Sequence, residues 1–242
     1  MQNFRVLTYR RSPSRFLPNG LQAKGYPDVT NPEDRPTFDD PQSYSTLAGQ
    51  GRAEIKRKGS RFLGRAHPVD SEEEAEAIVD EYRSRHYDAR HVCYGLRVGL
   101  GAQRIDRSND DGEPPRTGGF PIWQLLSGED LENSLIVVIR YYGGTKLGMG
   151  GLRRAYRDAA QAALDEAEIQ TIHPETQLSI TVAYQHFDAL ERAVEDLEVA
   201  RITKREFTAD VDVEIAVWTS RIEEVKTRLG ELLGRRPDDL TP

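Results

Sequence analysis

Cysteine is all but missing from this sequence: Cys93 is the only one in 242 residues. With no second thiol an internal disulfide cannot form, and a reducing, cytoplasmic setting is the expectation. Histidine is scarce as well. The five (His67, His86, His91, His173, His186) include no His-x-x-x-His pattern, and Cys–His zinc spacing is absent. No apolar run reaches the roughly 18–20 residues of a membrane span; the longest, Leu135-Ile136-Val137-Val138-Ile139, has the length of a buried strand. Positive charge is not in excess either: 33 basic side chains face 40 acidic ones, for a net charge of −7. That balance excludes indiscriminate coating of nucleic acid, yet leaves room for a local basic patch.

What is present divides the chain into three parts: an extension over 1–42, a first domain over 43–170 and a second over 171–242. The extension interleaves Pro13, Pro18, Pro27, Pro32, Pro36 and Pro41 with Asn, Asp and Arg, and shows neither strand nor helix periodicity, which predicts disorder or loose packing. Its start has no apolar core of a secretory signal. Arg5, Arg10, Arg11, Arg15 and Lys24 without an acid before residue 28 give it a superficial likeness to an organellar presequence. A plain disordered tail accounts for it more simply, and a natural start further in is a third reading.

Regular patterning begins near Tyr44. Short strands are predicted at Ala53–Lys58 and Ser60–Ala66. The capping box Ser71-Glu72-Glu73-Glu74 opens a helix that buries Ala75, Ile78, Val79 and Tyr82. A strand over His91–Val98 is followed by a loop to about Gly119, and Leu135–Tyr141 is the central buried strand. The strongest helix pattern runs from Leu152 to about Glu168 on a stripe of Leu152, Ala155, Tyr156, Ala159, Ala163 and Leu164. Thr171-Ile172-His173-Pro174 is read as the inter-domain link. The remainder alternates as strand, helix, strand, strand, helix: Gln177–Ala183, Phe187–Leu197, Ala200–Phe207, Val211–Val217 and Arg221–Leu233. The last helix carries a second capping box at Ser220-Arg221-Ile222-Glu223. This βαββα order suggests a ferredoxin-like sandwich without its final strand.

Two segments carry chemistry. In Arg140-Tyr-Tyr-Gly-Gly-Thr-Lys146-Leu-Gly148-Met-Gly150-Gly151-Leu-Arg153-Arg154-Ala-Tyr156 a buried strand passes through a glycine-dense loop into a helix. Glycines admit close approach to the backbone, and a helix amino terminus offers unpaired amides and the positive end of the dipole, the ingredients of an anion site. Arg153 and Arg154, read as first-turn cations, would oppose that dipole unless an anion sat there. The competing reading makes the glycines turn and packing residues and pairs the arginines with nearby acids. The string is neither a Walker A loop nor a complete G-x-G-x-x-G.

The second segment, Ser108-Asn109-Asp110-Asp111-Gly112-Glu113-Pro114-Pro115-Arg116-Thr117-Gly118-Gly119, has three carboxylates at Asp110, Asp111 and Glu113. They are readable as a turn, as partners that orient basic groups, or as ligands for Mg²⁺; the EF-hand register fails. His91 and Cys93 share a strand face, but with no oxyanion hole in view a structural pair is the simpler reading.

Together these motifs resemble the YigZ/IMPACT family, over roughly residues 44–165. Glu54-Ile55-Lys56, Ser60-Arg61-Phe62 and Arg90-His91-Val92-Cys93-Tyr94 are similar too. The family pattern Asp-Gly-Glu-Pro-Ser-Gly-Thr-Ala-Gly becomes Pro115-Arg116-Thr117-Gly118-Gly119 in its second half here. Val92 and Met149 replace the usual Asn and Thr. The resemblance implies an α+β protein of two domains. The first would be a β-α-β domain like elongation factor G domain IV, and the second a ferredoxin-like α/β sandwich. It also implies eukaryotic relatives that regulate translation through an additional domain, whereas fold kinship alone does not settle function.

The expected function is therefore non-enzymatic binding of RNA, DNA, the ribosome or a translation factor. Phosphates would be held by Arg140, Lys146, Gly148, Gly150, Gly151, Arg153, Arg154 and Arg116, with Asp110, Asp111 and Glu113 orienting them. No cofactor is expected. Mg²⁺ enters only under the alternative of an enzyme acting on a small phosphorylated ligand with a loop like that of GHMP kinases. A protein–protein regulator is the third reading.

Overall fold

A computed structural model describes residues 4–10, 40 and 42–240; the other expectations for the amino-terminal extension lie outside the described residues. Within that extension Phe4–Arg10 forms a strand, β1. Chain contacts separate two compact units. Among the described residues one contains 7–10 and 44–171, the other 4–6, 40, 42–43 and 172–240. Among the described residues no helix is long and apolar enough to cross a membrane.

After β2 (Tyr44–Leu47), the first unit is built on β3 (Gly51–Arg57), β4 (Ser60–Pro68), β5 (His91–Val98), β6 (Ile105–Asn109) and β7 (Ser134–Tyr141). These five form an antiparallel sheet in the order β3-β4-β7-β5-β6. Helix α1 (Glu72–Arg85) covers one face, and α2 (Gly119–Gly128) with α3 (Gly148–Asp165) covers the other. Strand β7 is central as expected, and its unbroken apolar run has a plain cause. Leu135, Val137 and Ile139 face the α1 core with Val79 and Tyr82, while Ile136 and Val138 face α3 with Phe62, Tyr156 and Ala159. By the same alternation Arg140 points to the α3 side, at the strand's end.

The alanine stripe lets α3 lie against the sheet at backbone distance: a Cβ on Gly64 of β4 would stand 2.2 Å from the carbonyl oxygen of Ala159. Helix α1 starts as the capping box predicts, with Ser71 Oγ accepting from the Glu74 amide at 3.1 Å. The Glu74 carboxylate reaches back one residue further, to the amide of Asp70 at 2.7 Å.

Four local expectations need correction. The stretch read as loop up to Gly119 contains β6, and α2 follows it. Helix α3 opens at Gly148, a full turn before Leu152, and closes at Asp165. The supposed link Thr171–Pro174 is inside a single long strand, β8 (Glu168–Val182). Pro174 is tolerated there because the ladder to the neighbouring strand β10 (Val211–Trp218) ends one residue later, at Glu175↔Trp218. Finally, Ser220 caps no helix. A 3₁₀ turn, Thr219–Arg221, precedes α5 (Ile222–Leu233), and the Ser220 hydroxyl donates instead to Asp40 at 2.6 Å.

The second unit follows the βαββα order through β8, α4 (Tyr184–Glu195), β9 (Ala200–Phe207), β10 and α5, with β8 and β9 antiparallel to β10. Both helices pack on one sheet face through Leu190, Val194, Val225 and Leu229. The sheet order is β1-β8-β10-β9, so β1 pairs on the free side of β8, and β2 also pairs with β8. A complete βαββαβ sandwich places its last strand beside its first. Here a strand from the start of the chain stands next to β8 instead.

Asp40 is a buried carboxylate of this unit. Its Oδ2 lies 2.7 Å from His173 Nδ1, its Oδ1 accepts from Ser220, and the imidazole stacks on Trp218 at 3.9 Å. Burial works against ionisation of Asp40. The hydrogen bonds from Ser220, His173 and the Gln42 amide outweigh it and hold the carboxyl below its ordinary value of 3.8. A depressed carboxyl stabilises the fold above its unfolded pKa and loses that contribution as pH falls through the folded value. Asp40→Asn is therefore expected to lower stability at pH 7 by about 1–3 kcal/mol. It should also flatten the acid limb below about pH 4, as read from urea unfolding at a series of pH values.

Candidate anion-binding cleft

Arg140 ends β7, where the next residues leave the sheet. Antiparallel register sets it opposite His91 of β5 and Phe62 of β4. Its guanidinium, with a side-chain exposure of 6%, is paired through Nη1 with Oε1 of Glu113, itself 3% exposed. The same carboxylate oxygen accepts from the Tyr156 hydroxyl at 2.8 Å, and His91 Nε2 lies 3.8 Å from it. Loop, strand and helix α3 thus meet at one buried carboxylate. Arg140 Nε has no hydrogen-bond partner, and among the described residues no hydrogen bond uses Nη2.

The loop that delivers Glu113 is tightly held. Asp110 accepts from the amides of Arg116, Gly118 and Gly119 at 2.7–2.9 Å, capping the start of α2. Asp111 accepts from the Val92 amide at 2.7 Å and from Arg83 at 3.3 Å. Asp111 and Arg116 both adopt positive φ, 44° and 61°. All three carboxylates are thereby engaged by the protein's own donors. Among the described residues no group of three or more His, Cys, Asp or Glu is arranged to hold a metal. Of Asp110, Asp111 and Glu113, the acids considered for Mg²⁺, the first two have both oxygens engaged and Glu113 is tied through Oε1 to Arg140 and Tyr156.

Cys93 is fully buried, and its thiol bonds the Asp110 carbonyl oxygen at 3.0 Å. Burial pushes its pKa far up, so the thiolate a nucleophile needs is suppressed. His91 Nδ1 is engaged at 2.7 Å by the Asp111 carbonyl. The two side chains serve the loop.

In front of Arg140 opens a cleft of about 610 Å³. Its walls bring together Arg140, Lys146, Gly148 and Glu113 from the residues singled out in the sequence, and add Arg90, His91, Tyr142 and Met149. Helix α3 begins at this wall. It has no side-chain cap and no acid in its first turn, so its first amides are left to solvent or a ligand. Neither Arg90 nor Lys146 has an acid within ion-pair distance among the described residues.

The remaining predicted cations are placed elsewhere. Arg153 and Arg154 fall in the second turn of α3, so they do not oppose the dipole as a first-turn pair would. Arg153 donates to the Arg116 carbonyl oxygen at 3.2 Å. Gly151 and Arg154 line a separate hollow of about 190 Å³. Arg116 stacks over Phe120 at 3.6 Å. The sequence reading passed over Arg90 and Tyr142. Both stood inside motifs quoted for the family resemblance, Tyr142 in the glycine segment and Arg90 in Arg90–Tyr94, but the two segments meet only because β5 and β7 are neighbours, which no local pattern reveals.

The comparisons agree with this architecture. The Impact N-terminal domain family matches residues 58–164, the span that supplies the whole cleft. The Escherichia coli IMPACT family member YigZ is 32% identical over 180 residues, 74% of this chain and 86% of that protein. The Bacillus subtilis member YvyE is 37% identical over 123 residues, 51% of this chain and 56% of its own length. A solved structure described as that of a hypothetical protein aligns at a TM-score of 0.54 with 30% identity, covering 78% of this chain and 92% of its own. A two-domain α+β protein with this strand-loop-helix cleft is the class the fold defines. The chain belongs to the IMPACT family.

Removing Glu113 leaves the Arg140 charge buried without compensation. Glu113→Ala is expected to destabilise the first unit by about 3–5 kcal/mol, whereas Tyr156→Phe, which deletes one donor, should cost about 1 kcal/mol. Urea unfolding of the two variants against the parent checks the ranking.

Proposed function

We propose that this chain is a non-enzymatic, cytoplasmic RNA-binding protein of the translation apparatus, holding backbone phosphate in the cleft before α3. The observation that carries the reading is the coincidence of three donors around one open volume. These are the amides of Gly148 and Met149 at the uncapped start of α3, the Arg140 guanidinium, whose Nη2 carries no hydrogen bond among the described residues, and the unpaired charges of Arg90 and Lys146. Kinship with the IMPACT family, whose resemblance implies eukaryotic members acting in translation, turns the choice of polyanion towards RNA. The implied likeness of the first unit to elongation factor G domain IV is part of the same proposal. So is a general electrostatic contribution from the exposed Arg153, Arg154 and Arg116. The engagement of Asp110, Asp111 and Glu113 by protein donors weighs against the enzyme alternative, which would need them for Mg²⁺.

Binding of ribosomal RNA measured against salt concentration is the direct test. Affinity is expected to fall steeply with salt, and Arg90→Ala/Lys146→Ala should lower both the affinity and the slope, by about 0.7–0.9 per phosphate contact removed. Undetectable binding at low salt sinks the reading.

Gly150 gives a second test. A Cβ there would meet nothing nearer than an Arg154 guanidinium nitrogen at 4.0 Å, so packing does not require glycine. Gly150→Ala is expected to raise stability by about 0.5–1 kcal/mol and, because Gly150 does not line the cleft, to leave RNA binding unchanged, read from unfolding and titration on the same preparation.

A further inference from the structure

A second hollow, about 640 Å³, adjoins the cleft: Arg90, His91 and Tyr142 line both. The two halves differ in charge. The first holds Lys146, Arg140 and the open amides of α3. The second holds two carboxylates that repel phosphate: Asp111, whose oxygens are already engaged by the Val92 amide and Arg83, and Asp88, whose Oδ2 has no hydrogen bond among the described residues and can accept from an amino group. Between them stands Tyr142, 49% exposed although large and aromatic, with the Arg140 guanidinium 5.6 Å from its ring centre.

We infer that this pair of hollows receives one unpaired nucleotide of an RNA strand, its phosphate in the cationic half and its base stacked on Tyr142, with amino groups directed to the acidic half. The inference rests on the proposed phosphate cleft and specifies what enters it. A base inside a duplex keeps its faces covered by its neighbours and its pairing edge occupied. Only an unpaired or extruded base can present a free face to Tyr142 while its phosphate sits in a concave site. Stacking on an aromatic side chain accepts any base, so strand state matters more than sequence.

The experiment is fluorescence anisotropy of the full chain with a short labelled single-stranded RNA and with the same sequence in a duplex, at low and at physiological salt. Single-stranded RNA is expected to bind at least about tenfold more tightly. Tyr142→Leu should weaken it by about 5- to 150-fold, the span of one lost base–aromatic stack. Tyr142→Phe, which keeps the ring, should bind like the parent, and both variants should unfold at the parent's urea midpoint. If the duplex binds as well as the single strand, or Tyr142→Leu binds normally while Arg90→Ala/Lys146→Ala binds weakly, the nucleotide inference is overturned and the phosphate cleft stands. If neither RNA binds at low salt, both fall. Displacement of the strand by an equal concentration of a nucleoside monophosphate would assign the site to free nucleotides and overturn the strand reading.

Discussion

Everything at the cleft depends on one buried ion pair, Glu113 with Arg140, closed by the Tyr156 hydroxyl. Each of the three comes from a different element: the loop after β6, the end of β7 and the body of α3. None of these contacts is local in sequence. Removing two charges from water costs several kcal/mol per ion, and an apolar replacement of similar volume is often no less stable. Stability alone therefore gives little reason for the pair. What it does is fix the guanidinium plane at the cleft floor with Nη1 taken, Nε buried and Nη2 left without a hydrogen bond among the described residues. Arg140 then contributes oriented donors, with its charge largely balanced by Glu113, and the cleft's excess positive charge comes from Arg90 and Lys146 at the walls.

The loop carrying Glu113 is rigid because its own carboxylates are spent on its backbone. Asp110 gathers three amides and so replaces a cap that Gly118 cannot supply. Arg116 illustrates how firmly the path is held. Its φ of 61° is one that glycine adopts freely and other residues adopt at a cost of roughly 1–2 kcal/mol. The family pattern has glycine there. In this chain the Asp110 bond to the Arg116 amide and the stacking over Phe120 keep the same turn with a larger residue. The carbonyl of that strained residue in turn accepts from Arg153, which ties the loop to α3 a second time.

These non-local ties explain what was legible in the sequence and what was not. The central strand, the α1 capping box, the alanine stripe of α3 and the βαββα order were all readable, because each is set by spacing within one segment. The start of α3 was misread for an instructive reason. Gly148, Gly150 and Gly151 are poor helix formers, so propensity moved the boundary to Leu152, while the packing of Leu152, Ala155 and Tyr156 on the sheet carries the helix back through them. Thr171–Pro174 looked like a linker because proline punctuates chains, yet Pro174 lies just past the end of the β10 ladder and removes no donor from it. Asp40 could not be assigned at all. Its partners His173 and Ser220 are 133 and 180 residues away. Of the glycine motif, Arg140, Lys146 and Gly148 line the cleft while Gly150, Gly151, Arg153 and Arg154 do not, and bringing Arg90 beside them required knowledge of strand order.

The overall charge bears on what such a cleft can do. A protein with a net charge of −7 repels a polyanion at long range. Exposed charges are screened beyond roughly 8 Å at physiological ionic strength, so that repulsion fades and close contacts decide. Attraction is then confined to the few ångströms around Arg90, Arg140, Lys146 and the first turn of α3. A broad cationic face would hold any stretch of duplex by its two rows of phosphates. A concave cationic spot on an acidic surface gives strong contact only to a phosphate that can enter it, and entry requires a backbone free to bend away from its neighbours. The same geometry that limits affinity therefore selects flexible, unpaired strands over rigid helical ones.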